Sequence, residues 1–285
     1  AWMAHGYKGI FKIAFDKHYD SITNFRLYNS NNGFPADRNL NVHKIFNQVV
    51  FTTGNGFYKF DEKSNSFSPH TELNEKLPRE NIRFVHEDQE GNIWYFTEVN
   101  AGVYRRQEDG TYVDVNVPFK ELKGRFIKWF QMVYPINKDH VVFGLQNGFA
   151  FYTPEYSKNY QQPFNSFIRK LTLTKTDSIL FFGKTNSSTN LGGIPFRCNQ
   201  LKFEFAANDF ENPEMLQFST ILKGFDENWS PWRKVTIREF TNLAHGEYSF
   251  VVKAKNIFGK ISEKSRLNFE IYAPWYLSWQ GYAVY

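Results

Sequence analysis

Four segments in the first half of the chain repeat one local pattern, and this repeat constrains the fold more than any other feature. A glycine followed by an apolar and an aromatic residue, in either order, occurs at positions 9, 56, 102 and 148, at intervals of 47, 46 and 46 residues. An aromatic residue precedes each glycine by five to eight positions, at Trp2, Phe51, Trp94 and Phe143. Because a strand, a tight turn and a second strand produce this pattern, each segment is predicted to form a β-hairpin.

The spacing matches one blade of a β-propeller, since four short strands and their turns take roughly 40 to 50 residues. Each blade buries its faces only against its neighbours, so blades occur in closed sets of typically four to eight. Trp2 already lies in a predicted hairpin, and no strand before it completes the first blade. We therefore expect residues 1–154 to be four units from the C-terminal part of a larger repeat array.

The second half changes to alternation of apolar and polar residues, which is typical of strands with one buried face. The clearest runs are Leu201/Phe203/Phe205, Tyr248/Phe250/Val252/Ala254 and Leu267/Phe269/Ile271. About seven short antiparallel strands indicate an immunoglobulin-like or fibronectin-like β-sandwich. We predict a linker with the first sandwich strands over 155–199, the sandwich over 200–273 and an aromatic, membrane-proximal tail over 274–285. The predicted fold class is all-β: a partial β-propeller array followed by a sandwich.

Composition supports an all-β chain and argues against several functions. Aromatic residues make up 19% of the chain, and aromatics favour strands. The 34 Lys and Arg residues exceed the 29 Asp and Glu residues by five, but they are scattered, whereas a nucleic-acid-binding surface clusters them. We predict no direct nucleic-acid binding. The single Cys198 cannot form an intrachain disulfide, and no apolar run approaches the roughly 18 residues of a membrane-spanning helix.

The sequence lacks the usual motifs of catalysis and of metal or cofactor binding. The seven histidines form no zinc-ligand pair, and no nucleophile elbow, phosphate loop or dinucleotide fingerprint is present. We predict no catalytic, metal or cofactor-binding residue, and interpret His86-Glu87-Asp88 as the approach to a turn. Since glycosidase carboxylates can come from separate blades, a carbohydrate-active enzyme stays open as an alternative, as does a non-catalytic adhesion or scaffold module.

Individual aromatic and glycine residues stand out in both halves. Trp129, close to Arg125, does not repeat with the period and is a candidate contact for a sugar ligand, whereas Trp94 and Gly102 belong to the repeat and are interpreted as structural. The structural candidates in the sandwich are Gly224, Trp229, Gly246 and Tyr248. Tyr248 follows a corner, where its hydroxyl can bond the backbone upstream. Trp229 and Trp232 lie beside a turn, and an aromatic pair there can also contribute to a dimer contact.

Two stretches carry a resemblance to one known family. Asp88-x-x-Gly91-Asn92-Ile93-Trp94, followed by Gly102-Val103-Tyr104, resembles the regulator-propeller repeats in sensor portions of two-component-type regulators of Bacteroidetes. The run from Leu222 to Trp229, the corner before Tyr248, and Pro274-Trp275-Tyr276 are similar to the three-tyrosine domain that follows those repeats. Two tyrosines of the family pattern are Phe218 and Phe240 here, so aromatic packing is expected at both without a hydroxyl.

The resemblance implies a periplasmic sensor region of an inner-membrane regulator. It implies an oligosaccharide ligand, a homodimer formed through the sandwich, and signalling by rearrangement of that dimer. A membrane helix is expected just after the C-terminus, because the family has one after the Pro-Trp-Tyr step. The output domain of the whole protein is either a histidine kinase or a DNA-binding regulator, and this chain contains neither.

Overall fold

The computed structural model describes residues 1–78, 81–156, 158–183, 188–274 and 276. The chain divides into two compact units, Ala1–Lys158 and Asn159–Tyr285. Within the described residues, both units are built from antiparallel-rich β-sheets, with one short α-helix and a few 3₁₀ turns. The predicted all-β class is therefore confirmed.

The first unit consists of four successive antiparallel sheets, which we call the first to the fourth sheet. Their strands run in chain order: β1 (Trp2–His5), β2 (Gly9–Phe15) and β3 (Ile22–Tyr28); β4 (Asn41–Ile45), β5 (Gln48–Thr53), β6 (Gly56–Asp61) and β7 (Ser66–Pro69); β8 (Phe84–Glu87), β9 (Ile93–Phe96), β10 (Ala101–Arg106) and β11 (Tyr112–Val115); β12 (Met132–Asn137), β13 (His140–Leu145) and β14 (Gly148–Tyr152). Helix α1 (Thr71–Lys76) follows β7, and 3₁₀ turns lie at Ser30–Asn32 and Val117–Leu122.

The four predicted hairpins are confirmed as the strand pairs β1–β2, β5–β6, β9–β10 and β13–β14. Two different physical reasons require glycine at the repeated position. Gly9, Gly56 and Gly148 have φ between 105° and 118°, a region that residues with a Cβ rarely adopt. Gly102 has no such φ, but a Cβ there would lie 2.3 Å from the Tyr95 ring. The repeat in sequence therefore does not reflect one repeated turn conformation.

Consecutive sheets pack against each other through aromatic side chains. Between the first and second sheets, the Trp2 ring lies 5.0 to 5.9 Å from those of Phe51, Phe60 and Phe67. Between the third and fourth, Trp94 lies 5.8 Å from Phe143 in an edge-on arrangement. A third cluster joins the second and third sheets through Ile45, Val50, Phe57, Val85, Ile93, Tyr95 and Tyr104. Each sheet thus buries side chains against the next along the chain.

The outer faces of the two end sheets remain apolar and exposed. On the first sheet, Met3, Phe25 and Leu27 share one face by register and are 49, 65 and 37% exposed. On the fourth sheet, the exposed residues of the outer face are Met132, Tyr134, Phe149 and Phe151. No sheet closes on itself within the described residues, so the propeller remains a prediction.

The second unit is a sandwich of two four-stranded sheets. Its strands are β15 (Ser166–Leu173), β16 (Ser178–Phe182), β17 (Ser188–Ile194), β18 (Leu201–Ala207), β19 (Gln217–Lys223), β20 (Ile237–Phe240), β21 (Gly246–Lys255) and β22 (Ser265–Ile271), with 3₁₀ turns at Phe196–Cys198 and Pro213–Met215. Sheet I has the order β16-β15-β18-β20, and sheet II has the order β17-β22-β21-β19. Strand β17 pairs with β22 in parallel, which departs from the antiparallel prediction because alternation within a strand does not encode the direction of its neighbour.

The predicted alternation is confirmed, because the alternating apolar residues predicted in β18, β21 and β22 lie in one core between the two sheets. Phe203 stacks on Phe250 across this core at a centroid distance of 4.0 Å. Phe218 and Phe240, where the resemblance implies tyrosine, are 5 and 4% exposed and pack on Phe205 and Phe203. Aromatic packing is therefore kept without the hydroxyls.

The C-terminal tail is only partly described. Trp275 and residues 277–285 lie outside the described residues, as does most of the predicted 274–285 tail. Among the residues that the structure does describe, no helix has both the length and the apolar character needed to cross a membrane.

The turn before β9 shows how the repeat places Trp94. The Asp88 carboxylate accepts hydrogen bonds from the Asn92 backbone N–H at 2.8 Å, the Glu90 N–H at 3.1 Å and the Trp94 indole Nε1–H at 2.8 Å. Trp94 is only 3% exposed. A single carboxylate therefore closes the turn and also pairs the polar atom of a core tryptophan.

We expect Asp88→Ala to lower the free energy of unfolding by about 2 to 3 kcal/mol, because it leaves a buried indole N–H without a partner. Urea unfolding followed by tryptophan fluorescence measures this. The matched control is Asp109→Ala, in the exposed turn between β10 and β11, where the carboxylate bonds Thr111. We expect the control to cost less than about 1 kcal/mol, and equal losses in the two variants would contradict the role given to Asp88.

His43 on β4 is a buried titratable group where the second sheet meets the third. Its ring packs edge-on against Phe84 at 5.4 Å, and its Nε2 has no hydrogen-bond partner in the described part of the chain. Burial lowers the pKa of His43 from 6.5 to about 4, although a hydrogen bond to the Arg83 backbone raises it slightly. The folded state therefore holds this imidazole neutral at pH values where the unfolded chain protonates it.

The free energy of unfolding should fall as the pH is lowered below 6.5, the pKa of His43 in the unfolded chain, and should continue to fall until about pH 4. Since the unfolded state binds the proton first, we expect a loss of about 2 kcal/mol from His43 between pH 7 and pH 5. Urea titrations of the wild type and of His43→Gln at both pH values measure it, and the variant should lose correspondingly less. His18→Gln, at an exposed turn position, serves as the control and should keep the wild-type pH dependence.

Candidate functional site

The candidate site is the loop between the 3₁₀ turn Val117–Leu122 and β12, because it exposes Trp129. The base of this loop is fixed by main-chain contacts: the Arg125 N–H donates to the Leu122 carbonyl at 3.0 Å, and the Arg125 carbonyl accepts from the Gln146 N–H at 2.9 Å. Phe126 anchors it in the core, 5.0 Å from the Phe96 ring. A rigid base therefore supports an exposed tip.

Trp129 occupies a strained position at that tip. The Phe130 N–H donates to the Ile127 carbonyl at 3.1 Å, so Ile127–Phe130 form a β-turn with Trp129 as its third residue. The φ of Trp129 is +70°, a conformation for which this turn position ordinarily carries glycine or asparagine. A bulky residue there costs about 1 to 3 kcal/mol, and such outliers cluster at functional sites.

Arg83 holds the tryptophan ring in place. Its guanidinium lies 4.6 Å from the centre of the Trp129 ring, and it also donates hydrogen bonds to Asn39 Oδ1 and to Glu98 Oε2, the latter at 3.1 Å. The Arg83 side chain is only 16% exposed. Because the cation is fixed by two partners, it orients the indole before any ligand arrives.

The side of this turn that faces away from Arg83 is exposed to solvent. Trp129 is 56% exposed, and its neighbours Ile127 and Phe130 are 43 and 77% exposed. Glu98 and the ammonium of Lys128, 3.7 Å apart, lie at the edge. An exposed indole with hydrogen-bonding groups around it suits a ligand that has both an apolar face and polar edges.

Both residues predicted as ligand contacts, Arg125 and Trp129, lie in this loop. Arg125 is exposed, and its main-chain hydrogen bonds make it part of the base of the loop. Sequence reasoning missed Arg83, Asn39 and Glu98, which come from other repeats and carry no local motif. The exposed Phe130 was detectable, since it directly follows Trp129.

The other predicted residues have structural surroundings. Trp94 and Gly102 lie in the sheet packing described above. Gly224 has a φ of +93°, and a Cβ there would lie 2.7 Å from the Glu247 carbonyl. Gly246, with a φ of +144°, is the first residue of β21.

The Tyr248 hydroxyl donates to the Ala244 carbonyl at 3.0 Å, which forms the predicted tyrosine corner. Burial raises the pKa of Tyr248. The Trp229 ring contacts Lys253 on β21 and Lys264 just before β22.

The side chains around Trp129 offer contacts for binding. Among the described residues, no three His, Cys, Asp or Glu side chains come together in a way that could hold a metal ion. The polar groups around Trp129 are a guanidinium, a carboxamide, a carboxylate and an ammonium. They can donate to and accept from a polyhydroxylated ligand that stacks on the indole.

We expect Trp129→Gly to be more stable than Trp129→Ala by about 1 kcal/mol, because only glycine adopts the positive φ without strain. Thermal unfolding of both variants measures the difference. Phe130 supplies the control, since it is not among the positive-φ residues. At Phe130 the order should reverse, with the alanine variant the more stable. The same order at both positions would contradict the strain at Trp129.

In comparisons with known proteins, one family model matches part of the chain and several solved structures are similar to it. The model described as the Y_Y_Y domain matches residues 209–272. A search of curated proteins gave no match. Among solved structures, the chain is similar to the extracellular domain of a hybrid two component system from B. thetaiotaomicron, with 20% identity and a TM-score of 0.57 over 95% of this chain and 36% of that one. The chain therefore spans about a third of that structure.

Two further similarities are weaker. One is the extracellular domain of a one component system from B. thetaiotaomicron, with 15% identity and a TM-score of 0.35 over 96% of this chain and 42% of that chain. The other is the fibronectin(III)-like modules of Clostridium thermocellum CbhA, with 13% identity, a TM-score of 0.22 and coverages of 63 and 84%. Together the Y_Y_Y match and the first structural likeness confirm the resemblance predicted from sequence: residues 209–272 match the Y_Y_Y domain, and the chain shares its fold with part of the extracellular domain of that hybrid two component system.

Proposed function

We propose that this chain is the non-enzymatic, ligand-sensing part of a membrane-anchored signal-transduction regulator, located in the periplasm. The Y_Y_Y domain and the shared fold support this. The observation that carries the ligand-binding role is Trp129, whose ring is exposed and whose backbone is strained. Strain that is kept at an exposed position favours a functional role over a structural one.

The first unit belongs to a larger β-propeller in this proposal. Its four sheets each pack on the next, while the outer faces of the first and fourth sheets expose apolar side chains such as Phe25, at 65%, and Phe151, at 74%. A soluble protein rarely leaves large contiguous apolar faces exposed. Further blades of the whole protein would cover both faces and close the ring.

The proposed ligand is an oligosaccharide. A sugar ring can place its C–H face on the open side of the Trp129 indole, while Asn39, Glu98 and Lys128 offer partners for its hydroxyl groups. The Arg83 guanidinium occupies the other side of the indole, so stacking takes place on one face only. The ligand is thereby oriented by a platform that does not need to reorganise.

Signalling requires two arrangements of a dimer that bind the ligand with different affinity, since a ligand that binds both equally shifts nothing. We propose that the sandwich forms this dimer and passes its rearrangement to a following membrane helix. A histidine kinase or a DNA-binding domain elsewhere in the whole protein would give the output.

The test is sedimentation and thermal unfolding of the complete ectodomain across a panel of oligosaccharides. We expect one sugar class to stabilise the protein and to shift its monomer–dimer balance. Trp129→Ala should weaken binding by roughly 30-fold, as for an aromatic hot spot worth about 2 kcal/mol, while Tyr7→Ala, at an exposed aromatic in the turn between β1 and β2, leaves it unchanged.

Other outcomes would change the conclusion. Breakdown of the sugar would favour the carbohydrate-active enzyme. Failure of every sugar to bind or to change association would favour the adhesion or scaffold module. Ligand binding that is unchanged in Trp129→Ala would support the sensor function but place the ligand-binding site elsewhere.

A further inference from the structure

One end of sheet II carries a group of cations on its outer face. Along β21 and β22, side chains alternate between the core and the outer face, and the core members of both strands belong to one cluster. The outer residues at this end are Lys253 and Lys255 on β21, Lys264 just before β22, and Arg266 on β22. We call these four residues the basic ridge.

Two tryptophan rings hold the three lysines of the basic ridge. The Lys253 Nζ lies 4.1 Å from the centre of the Trp229 ring and 5.2 Å from that of Trp232. The Lys255 Nζ lies 4.5 Å from the Trp232 centre, and the Lys264 Nζ lies 5.7 Å from the Trp229 centre. Each ring therefore attracts two ammonium groups, and its electron-rich face offsets part of the repulsion between them.

The segment that carries these tryptophans is fixed along β19, at the edge of sheet II. Phe218 on β19 forms an antiparallel bridge with Arg233, and the Ser230 N–H donates to the Thr220 carbonyl at 2.9 Å. The Ser219 hydroxyl also donates to the Ser230 carbonyl, at 2.8 Å. Because main-chain bonds hold the segment, both rings are in place beside the lysines before any ligand binds.

The positive charge of the basic ridge is not balanced by carboxylates. Among the described residues, none of its four members forms an ion pair. The partners of Lys255 and Lys253 on the neighbouring β19 are the uncharged Gln217 and Ser219. Ammonium groups that share a ring also lie within a Debye length of each other, which is roughly 10 Å at 0.1 M salt. An anionic ligand would therefore relieve a repulsion that the fold leaves in place.

The chemistry of the basic ridge fits an anionic polysaccharide. A contact with a ring leaves N–H donors of each ammonium available to carboxylate or sulfate oxygens. Trp229 and Trp232 are partly exposed, so the C–H groups of a sugar can contact their open parts. A polymer with an acidic group in each repeating unit can contact several members of the ridge at once, which a small anion cannot do.

The position of the basic ridge argues against a lipid surface. Gly246, the first residue of β21, pairs with Ile271, the last residue of β22. Lys255 is the last of the ten residues of β21, which makes the strand about 30 Å long. The ridge therefore lies at the end of sheet II away from the point where the chain leaves β22 toward the proposed membrane helix.

We propose that the basic ridge of Lys253, Lys255, Lys264 and Arg266 binds an anionic polysaccharide, as a second ligand-binding surface separate from Trp129. This inference rests on the periplasmic location in the proposed function, and it concerns the sandwich alone. Binding through carboxylate or sulfate groups weakens as salt is added, because salt screens exposed charges. The sandwich thereby selects a polysaccharide by its charge, whereas Trp129 selects by stacking.

The experiment measures the binding of polygalacturonate and of dextran sulfate to the complete ectodomain at low ionic strength, with neutral dextran for comparison. We expect at least one acidic polymer to bind, and neutral dextran to bind far more weakly. Lys253→Gln, Lys255→Gln and Lys264→Gln combined should weaken the acidic polymer by about tenfold or more, since three charges that contact it are lost. The tighter of the two polymers identifies the preferred acidic group as carboxylate or sulfate.

A triple arginine variant separates charge from fold. Arginine at the same three positions keeps the charge and stacks on aromatic rings, so this variant should bind the polymer about as well as the wild type. The matched control removes the same charge elsewhere: Lys17→Gln, Lys63→Gln and Lys175→Gln, all in exposed turns, should leave affinity unchanged. Thermal unfolding checks that each variant is folded.

Several results would overturn the inference. These are no binding of either acidic polymer, unchanged binding in the triple glutamine variant, and equal losses in the glutamine and arginine variants. Tighter binding of the same lysines to phosphatidylglycerol vesicles would assign the ridge to a lipid surface instead. Loss of the acidic polymer in Trp129→Ala would place that polymer at the first unit.

The failure of this inference can be distinguished from failure of the proposed function. The triple glutamine variant should still bind the neutral oligosaccharide that the sensor proposal expects at Trp129. If no neutral sugar binds while the acidic polymer does, the ridge is supported and the ligand proposed for Trp129 is wrong. If only the neutral sugar binds, the sensor is supported and the ridge is not a polysaccharide site.

Discussion

The contact of aromatic rings between successive sheets is the interaction on which this structure depends. Cys198 is free, so the described fold has no covalent staple and rests on its core. Trp2, Trp94 and their phenylalanine neighbours meet mostly edge-on at 5 to 6 Å, the geometry that aromatic quadrupoles prefer. The sandwich uses the same residues differently, with Phe203 stacked face to face on Phe250.

This packing explains why polar groups near the core are so closely paired. Asp88 satisfies the indole of Trp94, and the Tyr95 hydroxyl donates to Asp114 at 2.6 Å. His43 departs from this rule, since one ring nitrogen has no partner in the described residues. The first unit thus links its aromatic core to turn carboxylates, and a turn residue can influence packing that begins six positions later.

Much of the fold was predictable because it follows from periodic local patterns. The glycine spacing identified four hairpins, and alternation identified the core sides of β18, β21 and β22. The direction of β17 was not predictable, because its partner β22 lies about 80 residues away in sequence. At the candidate site, Trp129 was visible as an aromatic residue outside the repeat. Arg83 was not, because contacts between repeats leave no spacing signal in a single sequence.

The position of β22 has a mechanical consequence. It is an inner strand of sheet II, bonded in parallel to β17 and antiparallel to β21, and the chain leaves it at Ile271. A pull on the following segment acts along the strand, so it loads two ladders of backbone hydrogen bonds in shear at the same time. An edge strand pulled in the same direction would load only one ladder. The exit of the chain is therefore a stiff coupling, which transmits displacement between the sandwich and whatever follows with little loss.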